Sequence, residues 1–286
     1  MNFCHPKGHL FVPDNSPPAD ALQRVTHLGI VAHPDDLEFM GWHPILQCLH
    51  SPPFRFAGVI ASDGRSSPRA GIYAHYGDDE MAELRLSEQR HAAVTGEYVA
   101  IASLMYEETG PVMGGQNSSS LVADIGQMIR LSRPSVVVTH NLCDRHPHHI
   151  VVVLATIEAL RHLGPDYYPK EFYGGEVWRS LDWMNPSDRL TFDVSEHQNL
   201  TAALMGIFDS QITGGKRYDQ ATAGRKRANA TYSDPHTTDQ SSALEYAMDL
   251  LPLLANPSQE PVEYASQLIE HFLQDVRRRL LSGGKA

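Results

Sequence analysis

Between residues 25 and 165 the chain alternates short, continuous apolar runs with longer stretches of helical periodicity, and no other feature narrows its folding so far. The runs at 25–31, 56–61, 98–105 and 135–140 lack the in–out alternation of a strand with one wet face, so they read as strands buried on both faces. The segments between and after them, 37–49, 78–95, 121–131 and 150–162, read as helices; the first is expected to break near Pro44, and Asp78 or Asp79 opens the second while Gly96 closes it. Strands and helices in this order make βαβ units and a mostly parallel sheet, an α/β Rossmann-like three-layer sandwich.

The flanks read differently. Residues 1–24 are rich in Pro and polar side chains and are expected to form an extended N-terminal arm. After 165 the texture changes, and 166–286 is expected to be a mixed or helical extension that completes the same domain or caps its site. Within it, 171–184 suits a hairpin or edge strands, Asp193 or Ser195 suits the cap of a helix over 196–210, and 243–254 and 262–281 look helical. The closing residues 282–286 are expected to fray.

Composition excludes several functions. A net charge of -11 argues against a nucleic-acid surface and a polybasic membrane patch. Three scattered cysteines, with no C-x-x-C pair, suggest a reducing compartment, and there is neither a leader pattern nor an apolar run of about 18 residues. The expectation is a cytoplasmic protein with no membrane span. G-x-S-x-G, the P-loop and G-x-G-x-x-G are all absent, which disfavours a serine hydrolase, nucleotide hydrolysis and dinucleotide redox chemistry.

Two His/Asp clusters stand where ligands bind in parallel sheets, at the carboxyl ends of strands. The first, His33-Pro34-Asp35-Asp36-Leu37-Glu38, packs one imidazole and three carboxylates into six residues, a density of like charge that is costly without a positive partner. Pro34 keeps His33 out of helical geometry, so the ring of His33 and the carboxylate of Asp36 can converge on one ion. Alone, such a segment is more often a polar turn that caps a helix. The second, His140-Asn141-Leu142-Cys143-Asp144-Arg145-His146-Pro147-His148-His149, puts Pro147 in the first turn of a helix, so that His146 and His149 share a face; its bland reading is a solvated turn in a His-rich chain. Together the clusters favour a His/Asp/His site with an open fourth position, suited to zinc but by ligand type also open to iron or manganese.

Ala32-His33-Pro34-Asp35-Asp36 with Glu38, and Asp144-Arg145-His146-Pro147-x-His149 after a strand, resemble the two signatures of the PIG-L/LmbE-like zinc-dependent de-N-acetylases. Ser62-Asp63-Gly64 and Arg85-x-x-Glu88-x-x-x-Ala92 add to the likeness, in order, across roughly residues 25–165. The resemblance implies one zinc ion per chain on His33, Asp36 and His149, Asp35 as general base, and His146 as oxyanion stabiliser or acid. It also implies that Arg85 holds sugar hydroxyls, with an N-acetylglucosamine-type sugar or glycoconjugate as substrate. Asp63 is a candidate for a substrate hydroxyl or for a neighbour of a ligand, and Glu38 for orienting His33 or capping the next helix.

The chain departs from the family in having His148 where the partner Asp of the catalytic His stands, which makes Asp144 the candidate replacement for tuning His146. As an acid His146 would have to be an imidazolium. Arg65 in place of Glu after Asp-Gly, and Leu37 between Asp36 and Glu38, are further departures. The basic run from Lys216-Arg217 to Arg225-Lys226-Arg227 is either a solvated or inter-subunit face, compatible with a homo-oligomer, or an arm over the site that binds an anionic part of the substrate. The competing functions are a metal-dependent amidase of a larger amine conjugate and a non-catalytic sugar- or metal-binding module.

Overall fold

The computed structural model describes residues 1–283. In chain order the elements are β1 (His9–Phe11), α1 (Pro18–Gln23), β2 (His27–Val31), α2 (Asp36–Met40), α3 (Trp42–Cys48), β3 (Phe56–Ser62), α4 (Asp78–Thr95), β4 (Ala100–Tyr106), α5 (Ser119–Ser132), β5 (Val136–His140) and α6 (Pro147–Leu163). Then follow β6 (Glu171–Gly175), β7 (Arg189–Asp193), α7 (Gln198–Gly206), α8 (Asp209–Ile212), α9 (Tyr218–Thr231), β8 (Leu244–Asp249), α10 (Pro252–Ala255) and α11 (Pro261–Leu281).

The strands form one eight-stranded sheet in the order β1-β4-β3-β2-β5-β6-β8-β7. Strands β4, β3, β2, β5 and β6 run parallel, and β1, β8 and β7 extend the two sides through antiparallel pairings. The chain leaves β2 toward β3 and β4 and returns on its other side as β5, so the crevice at the carboxyl ends of β2 and β5 is the topological switch point. Every residue of β2, β3 and β5 is buried, as their unbroken apolar runs require.

Leu37 has a clear packing role. Gly29 of β2 and Gly58 of β3 are register partners, and a Cβ on either would collide with the Leu37 side chain. The two glycines therefore form the hollow that seats α2 on the sheet and fixes the acidic turn just before it.

Five expectations are corrected. The arm 1–24 is not simply extended, since β1 pairs with β4 (His9↔Ser103) and α1 packs on α5. The break in 37–49 falls at Gly41 rather than Pro44, because Pro44 lies in the first turn of α3, where its missing N–H has no intrahelical partner to lose. Residues 171–184 supply one interior strand, β6, and then irregular chain. Residues 243–254 form a strand and a short helix: the Ala-Leu-Glu-Met composition favours a helix locally, but pairing with both β6 and β7 overrides it. Helix α7 starts at Gln198 without a side-chain cap; Asp193 instead accepts from the Ser195 N–H at 2.9 Å. The expectation of fraying at 284–286 lies outside the described residues.

Candidate active site

The loops after β2, β3, β4, β5 and β6 meet over the switch point and, with the segment from α8 into α9, enclose a cavity of about 640 Å³. The first loop sets the geometry. Asp35 has φ 105°, a conformation that costs a non-glycine residue about 1–3 kcal/mol and persists only where its surroundings enforce it. They do so here from three sides. The Asp35 N–H donates to Gln89 Oε1 (3.1 Å), the Asp35 carboxylate meets Arg85 Nη2 at 2.9 Å, and the same guanidinium donates to the Pro34 carbonyl and to Ser67 Oγ.

With that turn fixed, three donor atoms converge. His33 Nδ1 and Asp36 Oδ2 are 3.1 Å apart, His149 Nε2 and Asp36 Oδ2 3.3 Å, and His33 Nδ1 and His149 Nε2 3.2 Å. Tetrahedral coordination at Zn–N of about 2.0–2.1 Å sets ligand atoms about 3.3 Å apart, so the triangle fits such an ion. Protons alone satisfy it poorly. His149 Nδ1 faces Asp144 Oδ1 at 3.2 Å, which places its proton there and turns the Nε2 lone pair toward the other two donors. Burial opposes charge on His149, yet Asp36 and Asp144 raise its pKa to about 9, a sign that this spot favours a cation. Burial would likewise raise the Asp36 carboxyl, but His149, His33 and His140 hold it well below its ordinary range. The buried His/Asp cluster could hold a metal.

The remaining expected residues are placed unequally. Asp35 lines the cavity beside the donor triangle without belonging to it; burial drives its carboxyl well above the ordinary range, against the pull of Arg85. His146 is the residue before α6, and its Nδ1 accepts the His148 N–H at 3.2 Å, so its proton sits on Nε2. Burial pushes its imidazole down to about 4, so it is a neutral donor and not the expected imidazolium. Asp144 lies against the His149 ring and accepts the His146 and Trp178 N–H groups, at 2.9 and 3.0 Å, instead of meeting the His146 ring. His148, the departure from the family, turns its Nδ1 to His33 Nε2 at 3.0 Å.

Glu38 does not reach His33. Fully buried and raised to about 8 by that burial, it accepts from Tyr98 OH and Gln89 Nε2, both at 2.9 Å, and so steadies the glutamine that holds Asp35. Arg85 lines the cavity while it pairs with Asp35 and donates to the Pro34 carbonyl and Ser67 Oγ. Asp63 accepts from Arg65 Nε at 2.7 Å and does not line the cavity.

Glu108 and Trp178 escaped the sequence reading. Glu108 Oε1 lies 3.5 Å from His33 Nε2, and Trp178 stands 6.3 Å, centre to centre, from the His146 ring. Glu108 follows β4, and a carboxylate just past a parallel strand was a usable signal. Trp178 follows β6, which the sequence did not reveal as interior.

The His/Asp cluster thus stands at the switch point of a mostly parallel sheet. Residues 28–160 match the model of the PIG-L family, GlcNAc-PI de-N-acetylase. No curated protein matches in sequence. Solved structures share the fold. N,N'-diacetylchitobiose deacetylase from Pyrococcus horikoshii is 16% identical, with 81% of this chain and 85% of that one covered at a TM-score of 0.62. GalB, the 4-carboxy-2-hydroxymuconate hydratase from Pseudomonas putida KT2440, is 15% identical over 79% and 96%, TM-score 0.61. The zinc-inhibited form of teicoplanin deacetylase Orf2 is 13% identical over 79% and 97%, TM-score 0.59.

Proposed function

We propose that the chain is a metal-dependent de-N-acetylase that removes an acetyl or other small acyl group from the amide nitrogen of an N-acetylglucosamine-type sugar or conjugate. One observation carries this reading: a three-donor ion site and a carboxylate, Asp35, that adjoins it without being a donor. His33, Asp36 and His149 would hold one ion, with zinc the metal that suits their types and spacing. When bound, it supplies a water of lowered pKa and polarises the amide carbonyl.

The chain's own residues do the rest. Asp35, oriented by Arg85 and Gln89, takes the proton of the attacking water and hands it to the departing amine. His146 Nε2–H faces the developing oxyanion, a contribution of about 10²–10³ in rate. Asp144 and His148 orient the rings of His149 and His33, and Glu38 acts on Asp35 through Gln89. The three cysteines are all free, in keeping with a cytoplasmic enzyme.

A cavity of about 640 Å³ with Trp178 in its wall is in the range that holds drug-sized ligands, which favours a conjugate over a small free sugar. Because the fold also occurs in a hydratase, the decisive product is the amine. Zinc-loaded protein should release amine and acetate in equal amounts from N-acetylglucosamine derivatives, stop on chelation and recover with zinc. Absence of amine from any acylated amine would overturn the reading.

A further inference from the structure

The cavity's two sides differ in charge. Its floor holds Asp35, Asp36 and Glu108 around the donor triangle. Its roof, the stretch from α8 into α9, turns Lys216 and Arg225 inward beside Trp178. Lys216 Nζ lies 5.5 Å from the Trp178 ring centre, and Arg225 Nη1 donates to the Val177 carbonyl at 2.6 Å. Among the described residues neither cation has a carboxylate within ion-pair distance, whereas Arg217, which also lines the cavity, pairs with Asp219 at 2.7 Å. Two like charges lining one cavity repel each other, and an anion bound between them relieves that repulsion.

We propose that Lys216 and Arg225 form an oxyanion subsite, and that the preferred substrate carries a carboxylate or phosphate remote from its amide, with the intervening ring against Trp178. The word amide rests on the function proposed above; the subsite does not. Calorimetry on the zinc-loaded protein would compare N-acetylglucosamine 6-phosphate and N-acetylglucosaminuronic acid, whose anions lie across the ring from the acetamido group, with the neutral methyl glycoside of N-acetylglucosamine. The anions should bind about tenfold more tightly at low salt, as charge-assisted contacts allow. That preference should vanish in Lys216→Gln/Arg225→Gln, with the neutral ligand unaffected. Lys216→Glu, at an exposed side chain with no hydrogen bond, should reverse it even if the double variant folds poorly. Equal binding by wild type overturns the subsite, and so does a preference that survives both variants, which would put the anion on the metal. Failure of amine release from all three ligands would defeat the deacetylase reading alone.

An independent observation concerns α11. Val262, Ile269, Leu273 and Leu280 are 71%, 49%, 38% and 76% exposed, and with Ser266 and Val276 they recur at alternating steps of four and three, the seam of paired helices. The first half of the helix and its cap carry Glu260, Glu263 and Glu270 and no cation. The second half carries Arg277, Arg278 and Arg279 against a single Asp275. We infer that a second copy of this chain packs here antiparallel, about a two-fold axis near His271, which sets each acidic half beside a basic one and Ile269 opposite Leu273. Light scattering should show a dimer, Ile269→Lys/Leu273→Lys a folded monomer, and Glu263→Arg/Arg277→Glu a dimer restored relative to Arg277→Glu alone. A monomer at all concentrations, a dimer indifferent to these changes, or vesicle binding through α11 would overturn the inference.

Discussion

Asp144 and Glu38 show how single side chains serve the site without facing the cavity. Asp144 Oδ1 fixes the His149 proton on Nδ1, and outer partners of this kind are worth about 10–100-fold in metal affinity. Asp144→Ala should weaken zinc by that factor in competition with a chromogenic chelator; unchanged affinity would remove Asp144 from the ion site. Glu38 sits between Tyr98 and Gln89 with no water-facing surface. Glu38→Gln keeps an acceptor for both and should cost less than about 1 kcal/mol, whereas Glu38→Ala leaves two buried donors unpaired, at about 1–3 kcal/mol each. Denaturant melts of the two variants decide this, and equal losses would contradict it. The nearness of His33 and Asp36 was legible in their spacing around Pro34, and that of His149 in the place of both clusters at the carboxyl ends of strands. The partners Gln89, Glu108 and Trp178 were not, because strands far apart in sequence bring them in.

Among the elements, α9 matters most, since it carries the cavity's roof. It is fastened by a buried ion pair, Lys226 Nζ to Glu245 Oε2 at 2.6 Å, in which the same carboxylate oxygen accepts the Trp42 N–H at 3.0 Å. Removing one partner strands the other charge in the interior, so Lys226→Met should cost about 3–5 kcal/mol, and Lys226→Met/Glu245→Gln should recover part of it. Chemical denaturation of both tests this; a double variant no more stable than the single would contradict it. The turn before α9 depends on Gly214, where a Cβ would collide with the Ser210 carbonyl. Ser210 is in turn held by both oxygens of Glu88, at 2.8 and 2.6 Å. Gly214→Ala should therefore shift the roof and raise KM more than it lowers kcat, as steady-state kinetics would show. The misreading of β8 belongs to this scale. Glu245 is the second residue of β8 in a helix-forming sequence, and Lys226, 19 residues earlier, with the Trp42 N–H makes its burial tolerable.

At the scale of the molecule, the alternating apolar runs specify a parallel sheet, and connection order places its switch point between β2 and β5, where both His/Asp clusters fall. That much follows from chain order and burial alone. The added strands β1, β6, β7 and β8 do not: β1 and β7 are short edges, β6 ends in Gly-Gly, and β8 has the local composition of a helix. No described helix is long and apolar enough to cross a membrane. In the proposed reaction Asp35 acts on water beside an ion it does not bind. The direct measurement is amine release and metal content, side by side, for zinc-loaded wild type and Asp35→Asn. Full zinc is expected in both, with turnover reduced by about 10²–10⁴ in the variant. Loss of zinc along with activity, or activity retained without the carboxylate, would contradict it.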